Sequence, residues 1–315
     1  MNLKIGRMLL SVSMLGVLAS CGNTQNGSTF DTTKAITLHT RESGSGTREC
    51  FFEGIGYGDV KKEDNWEAGV NPTSHSSNGD IVSAMETDLY GIGYCALDGL
   101  EAHTKLKALK YEGVAASVDN VLNDTYKLKR NFNYVVRTDY PSGDKKGVAV
   151  SAFVAFMTTS EGYNVIKSKG GILNSTEVEN APTWDSIKGN YDFGTTAINL
   201  NACGSTSVEK IIQELSSKFA SLTGNKVVLA TGSQTGSGSA VTGVTTGDGD
   251  IGFLSRELNA DEKVTLGSQT SKVMCLDAVV PIVNAENTVL SETTAAQLVS
   301  IYKGEFKVWS ELASK

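Results

Sequence analysis

Apolar residues in this chain come in short runs, and between several of these runs the apolar positions switch to helical spacing. Ala35-Ile36-Thr37-Leu38-His39-Thr40 reads as a strand, and a helix opening at Thr47 carries Cys50, Phe51 and Phe52 inward. Ala197-Ile198-Asn199-Leu200-Asn201 is another strand. After it, Val208, Ile211, Ile212, Leu215, Phe219 and Leu222 fall on one helical face, which Gly224 is placed to end. Lys226-Val227-Val228-Leu229-Ala230 and Asp250-Ile251-Gly252-Phe253-Leu254 are further strands, with a short helix over Ala240 to Thr246 between them. Alternation of strand, loop and helix predicts an α/β fold with mostly parallel sheets.

The local plan occurs twice. Asn78 to Met85 leads to Tyr90-Gly91-Ile92-Gly93-Tyr94, and Gly238 to Val244 leads to Asp250-Ile251-Gly252-Phe253. Each is a Gly/Ser-headed short helix followed by a strand with Ile-Gly-aromatic, as two lobes of one design would give.

The loops before the helices carry the chemistry. The chain has 33 Gly against 4 Pro, and the Gly cluster with Ser and Thr instead of recurring at a fixed period. Ser43 to Thr47, Gly204 to Ser207 and Thr235 to Ser239 each lie between a strand and a helix start. A helix N-terminus presents unpaired N–H groups and a partial positive charge. Gly lets the backbone approach, and hydroxyls add donors, so each loop is suited to an anion. Arg41, Arg48 and Arg256 flank these loops and can supply forked N–H donors.

Charge and composition narrow the partner. The 315 residues hold 28 Lys+Arg and 35 Asp+Glu, a net charge of −7, with no basic run, which argues against nucleic acid. Residues 1–20 read as a signal peptide: Lys4 and Arg7 precede the apolar run Met8 to Leu18, which is too short to span a bilayer. Leu18-Ala19-Ser20-Cys21 resembles a lipobox, in which Cys21 is lipidated and becomes the mature N-terminus; an ordinary secretory signal is the alternative. Cleavage there takes the charge from −7 to −9. Residues 21–35 read as a tether. Export permits disulfides, but Cys50, Cys95, Cys203 and Cys275 each sit in an apolar run, which favours buried free thiols. They have no C-x-x-C spacing, and His39, His75 and His103 are scattered, so no metal site is expected. No P-loop, H-E-x-x-H or G-x-S-x-G motif is present, and donor-rich loops without an evident base suggest binding and not turnover.

Thr40-Arg41-Glu42-Ser43-Gly44-Ser45-Gly46-Thr47-Arg48 resembles the signature of the phosphate-binding proteins of phosphate ABC transporters. Gly204-Ser205-Thr206-Ser207-Val208 is similar to that family's first strand–helix loop, and Asp250 to Leu258 to its D-I-G-x-x-S-R-x-L stretch. Pro281-Ile282-Val283-Asn284 and Ile301-Tyr302-Lys303-Gly304-Glu305 with Trp309 match two further stretches, so the resemblance covers nearly all of 36–315. The order differs. In the family the GSTSV-like loop comes first and the SGSGTR-like loop after the tryptophan-containing stretch, whereas here the SGSGTR-like loop begins the domain. The chain thus looks circularly permuted, with the family's termini joined within Gly171 to Ala197 and new ones cut between Lys315 and Ala35.

The resemblance implies a two-lobed periplasmic-binding-protein-like fold of type II, with 36–131 plus 279–315 in one lobe and 132–278 in the other. It implies capture of inorganic phosphate by Arg41, Ser45, Gly46, Thr47, Thr206, Ser207, Ser237, Ser255 and Arg256, without catalysis, cofactor or metal. It further implies a monomer, held outside the cytoplasm by a lipid anchor to the cell membrane, that delivers phosphate to an ABC permease. In some family members an Asp stands at the position of Arg256; Glu42 and Glu257 are the remaining candidate acceptors for a phosphate proton, though each can pair with a neighbouring Arg. Another oxyanion such as sulfate or molybdate, or a secreted phosphatase or adhesin on the same fold, are the other function classes left open.

Overall fold

Strand β1 (Thr37–Arg41) lies in parallel between β2 (Thr73–His75) and β3 (Gly91–Ala96), with helix α1 (Gly46–Gly54) after β1 and α2 (Asn78–Thr87) leading to β3. The computed structural model describes residues 30–100, 102–267 and 270–313. Short strands β4 (Leu106–Ala108) and β5 (Lys110–Tyr111) and the short helix α3 (Val118–Leu122) lead into β6 (Lys129–Val136). Helices α4 (Lys145–Met157), α5 (Ser160–Ser168), α6 (Ser175–Glu179) and α7 (Trp184–Ile187) follow. Then come β7 (Ile198–Gly204), α8 (Glu209–Leu222), β8 (Val227–Gln234), α9 (Ser237–Thr246), β9 (Ile251–Leu254) and α10 (Ala260–Leu266). The described chain ends with β10 (Thr270–Asn284), β11 (Glu292–Thr293), α11 (Ala295–Tyr302) and α12 (Ser310–Ala313).

The sheet order is β2-β1-β3-β10-β6-β9-β7-β8, with β4 also on β10. Two halves of one design are embedded in it. In the first, β2-β1-β3 are parallel and β10 and β4 follow antiparallel. In the second, β8-β7-β9 are parallel, β6 is antiparallel to β9, and β10 is antiparallel to β6. The internal echo of the sequence falls at equivalent places, α2–β3 in one half and α9–β9 in the other. The sheet is therefore mixed, not mostly parallel. β6 and β10 carry the chain between halves, so no βα crossover fixes their direction. At ~3.4 Å per residue the 15 residues of β10 span about 50 Å, enough to serve both halves. Its Thr270–Ala278 part pairs with β6 and its Val279–Asn284 part with β3 and β4.

Each half has its own core. On α8, Ile211, Ile212, Leu215 and Phe219 are buried as their spacing predicts, at about 1.5–3 kcal/mol for each such side chain. Phe219 packs against Phe153, Phe156 and Trp184. In the other half Phe51 stacks on Tyr94 at 4.0 Å, with Phe52 and Tyr302 set edge-on around them. Two boundaries differ from expectation. β8 runs on to Gln234 because its pairing with β7 resumes, after a shift, at Cys203↔Ser233, and α9 begins at Ser237.

Residues 1–29, and with them Cys21 and the expected signal peptide, lie outside the described residues. The stretch before β1 is not all tether: Phe30 is buried against Tyr90 and Trp309, because its ring has apolar surface to cover. Lys315 is also outside the described residues, but the described ends lie side by side. Ala35 bridges to Val308, the Ile36 N–H donates to the Lys307 carbonyl at 3.0 Å, and the Trp309 N–H donates to the Lys34 carbonyl at 3.2 Å.

Candidate functional site

Four loop ends meet where the two halves face each other. β1 ends at Arg41, the chain turns through Gly44 at φ +82°, and Ser45 caps α1 by accepting from the Arg48 N–H. β7 ends at Gly204, after which the Ser205 Oγ accepts from the Ser207 N–H and a tight turn over Thr206–Val208 opens α8. α9 starts at Ser237, and Ser255 follows β9.

Their hydroxyls join into one network. Thr47 Oγ1 lies 2.9 Å from Ser207 Oγ, Ser205 Oγ 2.8 Å from Ser255 Oγ, and Ser237 Oγ 3.3 Å from Ser255 Oγ. The Ser255 N–H donates to Ser237 Oγ at 3.0 Å, and Arg41 Nη2 donates to Thr206 Oγ1 at 3.2 Å. Arg41, Ser45, Thr47, Ser237 and Ser255 are all buried. Gly46 is required here: a Cβ on it would stand 2.1 Å from Ser255 Oγ. The first N–H groups of α1 and α9 have no partner within their helices and lie at this network. Hydroxyls can rotate to donate, so the cluster is chemically suited to a small oxyanion taken from water.

The arginines divide by what they hold. Arg41 makes a bidentate pair with Glu42 at 2.8 and 2.9 Å and also donates to Asn78 Oδ1 and to the carbonyls of His75 and Ser76. Arg48 donates to the carbonyls of Arg41, Val60 and Glu63 and to Asp64, fastening the loop after α1. Arg256 turns away from the hydroxyls: its guanidinium lies 3.0 Å from Glu49 and 2.7 Å from Glu262, because two carboxylates outcompete neutral hydroxyls for it. Of the sequence-picked residues, Arg41, Ser45, Gly46, Thr47, Thr206, Ser207, Ser237 and Ser255 are thus brought together, and the Arg256 guanidinium is not. Glu42 pairs with Arg41, whereas the Glu257 carboxylate accepts from Asn131 and only the Glu257 backbone carbonyl accepts from the Arg256 side chain.

Sequence reasoning missed two site residues. Arg130 on β6 is buried, donates to Asp277 Oδ2 on β10 at 2.9 and 2.7 Å, and donates to Thr47 Oγ1 at 2.9 Å. Burial pushes the Asp277 carboxyl upward, and Arg130 opposes the shift. A lone Asp inside the apolar run Met274 to Ile282 was the available signal, since carboxylates enter such runs only with a partner.

The structure also links two His that are distant in sequence. His39 Nδ1 is 2.9 Å from His75 Nε2, and His39 Nε2 is 2.9 Å from Asp88 Oδ2. Among the described residues no group of His, Cys, Asp and Glu is placed to hold a metal ion. The four described cysteines are free, with Cys50 only half-buried. Burial pushes the Cys50 thiol up to about 12, which leaves little thiolate for chemistry. Among the described residues no helix is long and apolar enough to cross a membrane.

Comparison with known proteins agrees with this architecture. Residues 186–315 match the PBP superfamily domain. The chain is similar to the phosphate-binding protein PstS 2 of Streptococcus pneumoniae, 29% identical over 314 residues, covering 97% of this chain and 99% of that protein. It is 28% identical over 310 residues to PstS 2 of Streptococcus agalactiae, covering 97% of each. A crystal structure of a phosphate-binding protein of a phosphate ABC transporter from Streptococcus pneumoniae superposes with TM-score 0.65 at 27% identity, covering 88% of this chain and 99% of that one. The chain is a homologue of these proteins and has the α/β periplasmic-binding-protein-like fold.

Proposed function

We propose that this protein captures inorganic phosphate between its two halves and delivers it to the permease of a phosphate ABC transporter. The observation that carries the reading is the network of buried Thr47, Ser205, Ser237 and Ser255 with half-buried Ser207, fed by two helix N-termini. The relatives named above are binding proteins and not enzymes, which supports binding over phosphate-ester hydrolysis. The ligand-contacting set is Arg41, Ser45, Gly46, Thr47, Thr206, Ser207, Ser237 and Ser255, with Arg256 holding α1 to α10 through Glu49 and Glu262 instead of touching the anion.

In this reading residues 36–131 with 279–315 form one lobe and 132–278 the other. β6 and β10 are the connections about which they close. Small residues before Cys21 support cleavage and lipidation there, which keeps the protein on the extracytoplasmic side of the cell membrane beside its permease. The adjacency of the described chain ends supports a circular permutation of the family order.

Calorimetry tests the function directly. Protein lacking residues 1–21 is titrated with phosphate, sulfate and molybdate. Phosphate is expected to bind at least about 100-fold more tightly than either, ~2.8 kcal/mol at ~1.4 kcal/mol per tenfold. Equal or tighter binding of sulfate or molybdate assigns the site to another oxyanion.

A further inference from the structure

The geometry points to Arg130, held by Asp277, as a second guanidinium on the bound anion. This inference rests on the phosphate reading above and deepens it. A guanidinium has five N–H donors. Arg41 already meets six acceptor atoms: both Glu42 carboxylate oxygens, Asn78 Oδ1, Thr206 Oγ1 and the carbonyls of His75 and Ser76. Arg130 makes only three hydrogen bonds, two to the single oxygen Asp277 Oδ2 and one to Thr47 Oγ1. Its Nη1 therefore sits within one hydroxyl of the Thr47–Ser207 contact, with donor capacity left over.

Position and cost both argue for function. Arg130 also forms part of the wall of a cavity of about 590 Å³ lined by four lysines as well as Glu49, Glu53 and Glu257, so it lies between that open space and the hydroxyl cluster. The Arg130–Asp277 pair is nearly solvent-free, each side chain being 3% exposed. Buried ion pairs are often no better for stability than neutral replacements of similar size. A pair kept at the contact between the halves, on the two strands that join them, is better accounted for by what it does to the ligand. Asp277 is then a positioning residue: it fixes the Arg130 plane and leaves one edge for Thr47 and the anion.

The test uses the full-length chain and the double variant R130Q with D277N, which keeps the local net charge and a neutral hydrogen-bonding pair. Apo melting and circular dichroism are expected to match the parent. Phosphate affinity by calorimetry is expected to fall at least 30-fold, ~2 kcal/mol at ~1.4 kcal/mol per tenfold. Affinity within threefold of the parent overturns the inference while leaving the phosphate reading intact. A parent that takes up no phosphate overturns the reading and the inference together. A crystal structure of the unaltered protein with phosphate tests the same claim independently of variant folding. An Arg130 nitrogen is expected within about 3.2 Å of a phosphate oxygen, and a separation beyond hydrogen-bonding reach overturns it.

Discussion

Gly46 shows how tightly the two halves are fitted. The position an added Cβ would take is 2.1 Å from Ser255 Oγ, 2.9 Å from Ser237 Oγ and 3.2 Å from the Ser255 backbone carbon. The hydroxyls could rotate away, but the backbone atom cannot give without moving β9. Gly46 belongs to α1 and carries no positive φ, so alanine suits its own helix. Gly46→Ala is therefore expected to leave apo melting unchanged or slightly raised while wedging the halves apart. Overpacking of this kind costs about 1–3 kcal/mol, so phosphate affinity should fall about tenfold or more in a calorimetric titration. Affinity equal to the parent's would mean that the halves need not come this close to hold the anion. At this scale the hydroxyls were legible because Ser and Thr cluster beside Gly before each helix. The arginines were not, because sequence gives no distance to competing carboxylates. Arg256 has Glu49 and Glu262 within 3.0 Å, the first of them 207 positions away in the chain.

Elements whose burial follows from a single face could be read ahead of the structure. α8 shows its inward stripe directly, and β7, β8 and β9 are short apolar runs bounded by turn residues. β10 could not be read that way, since a strand shared by two halves is apolar on both faces over part of its length and carries its one carboxylate, Asp277, where the halves meet. The pairing of β1 with β2 was equally hidden, and it creates the chain Asp88–His39–His75. Burial holds His75 below its ordinary value of 6.5, with His39 and Arg41 acting in the same direction and Asp80 against it. For Asp88 burial acts upward, but the His39 and Tyr90 N–H groups outweigh it and hold the carboxyl below 3.8. Both folded-state shifts are downward, so each group contributes stability that is present above its unfolded-state value and lost on acidification. Apo melting should therefore fall first as pH drops through about 6.5 and again below about 4. The carbonyls of His75 and Ser76 accept from Arg41, so the first fall should reach the site as well. In His75→Gln the difference in Tm between about pH 5 and pH 7.5 should shrink. An unchanged difference would place the acid-sensitive group elsewhere.

At the scale of the molecule, the same strand order appears twice and two strands tie the copies together. The repeat left only a faint trace in sequence, because what recurs is topology and a Gly/Ser helix start, while core side chains differ between the halves. A fold of this kind depends on which segments pack together far more than on the order in which the chain visits them. The described ends support that view: the Ser310 N–H donates to the Thr32 carbonyl at 2.7 Å, and Phe30 packs edge-on to Trp309 at 5.5 Å. A linker of about four to six Gly/Ser residues can therefore join Ala313 to Phe30 without strain. The exposed stretch Gly194–Ala197, between the α7 region and β7, offers a place to open the chain, within the interval where the family's own termini are proposed to be joined. A chain opened between Thr195 and Thr196 and closed by that linker keeps every strand pairing and every loop of the site. It should melt within about 5 °C of the parent and bind phosphate within threefold, since only one surface link has moved. Loss of folding on this relinking would show that the present order is needed to nucleate the two halves. Folding with loss of binding would instead show that the placement of the ends sets how the halves close.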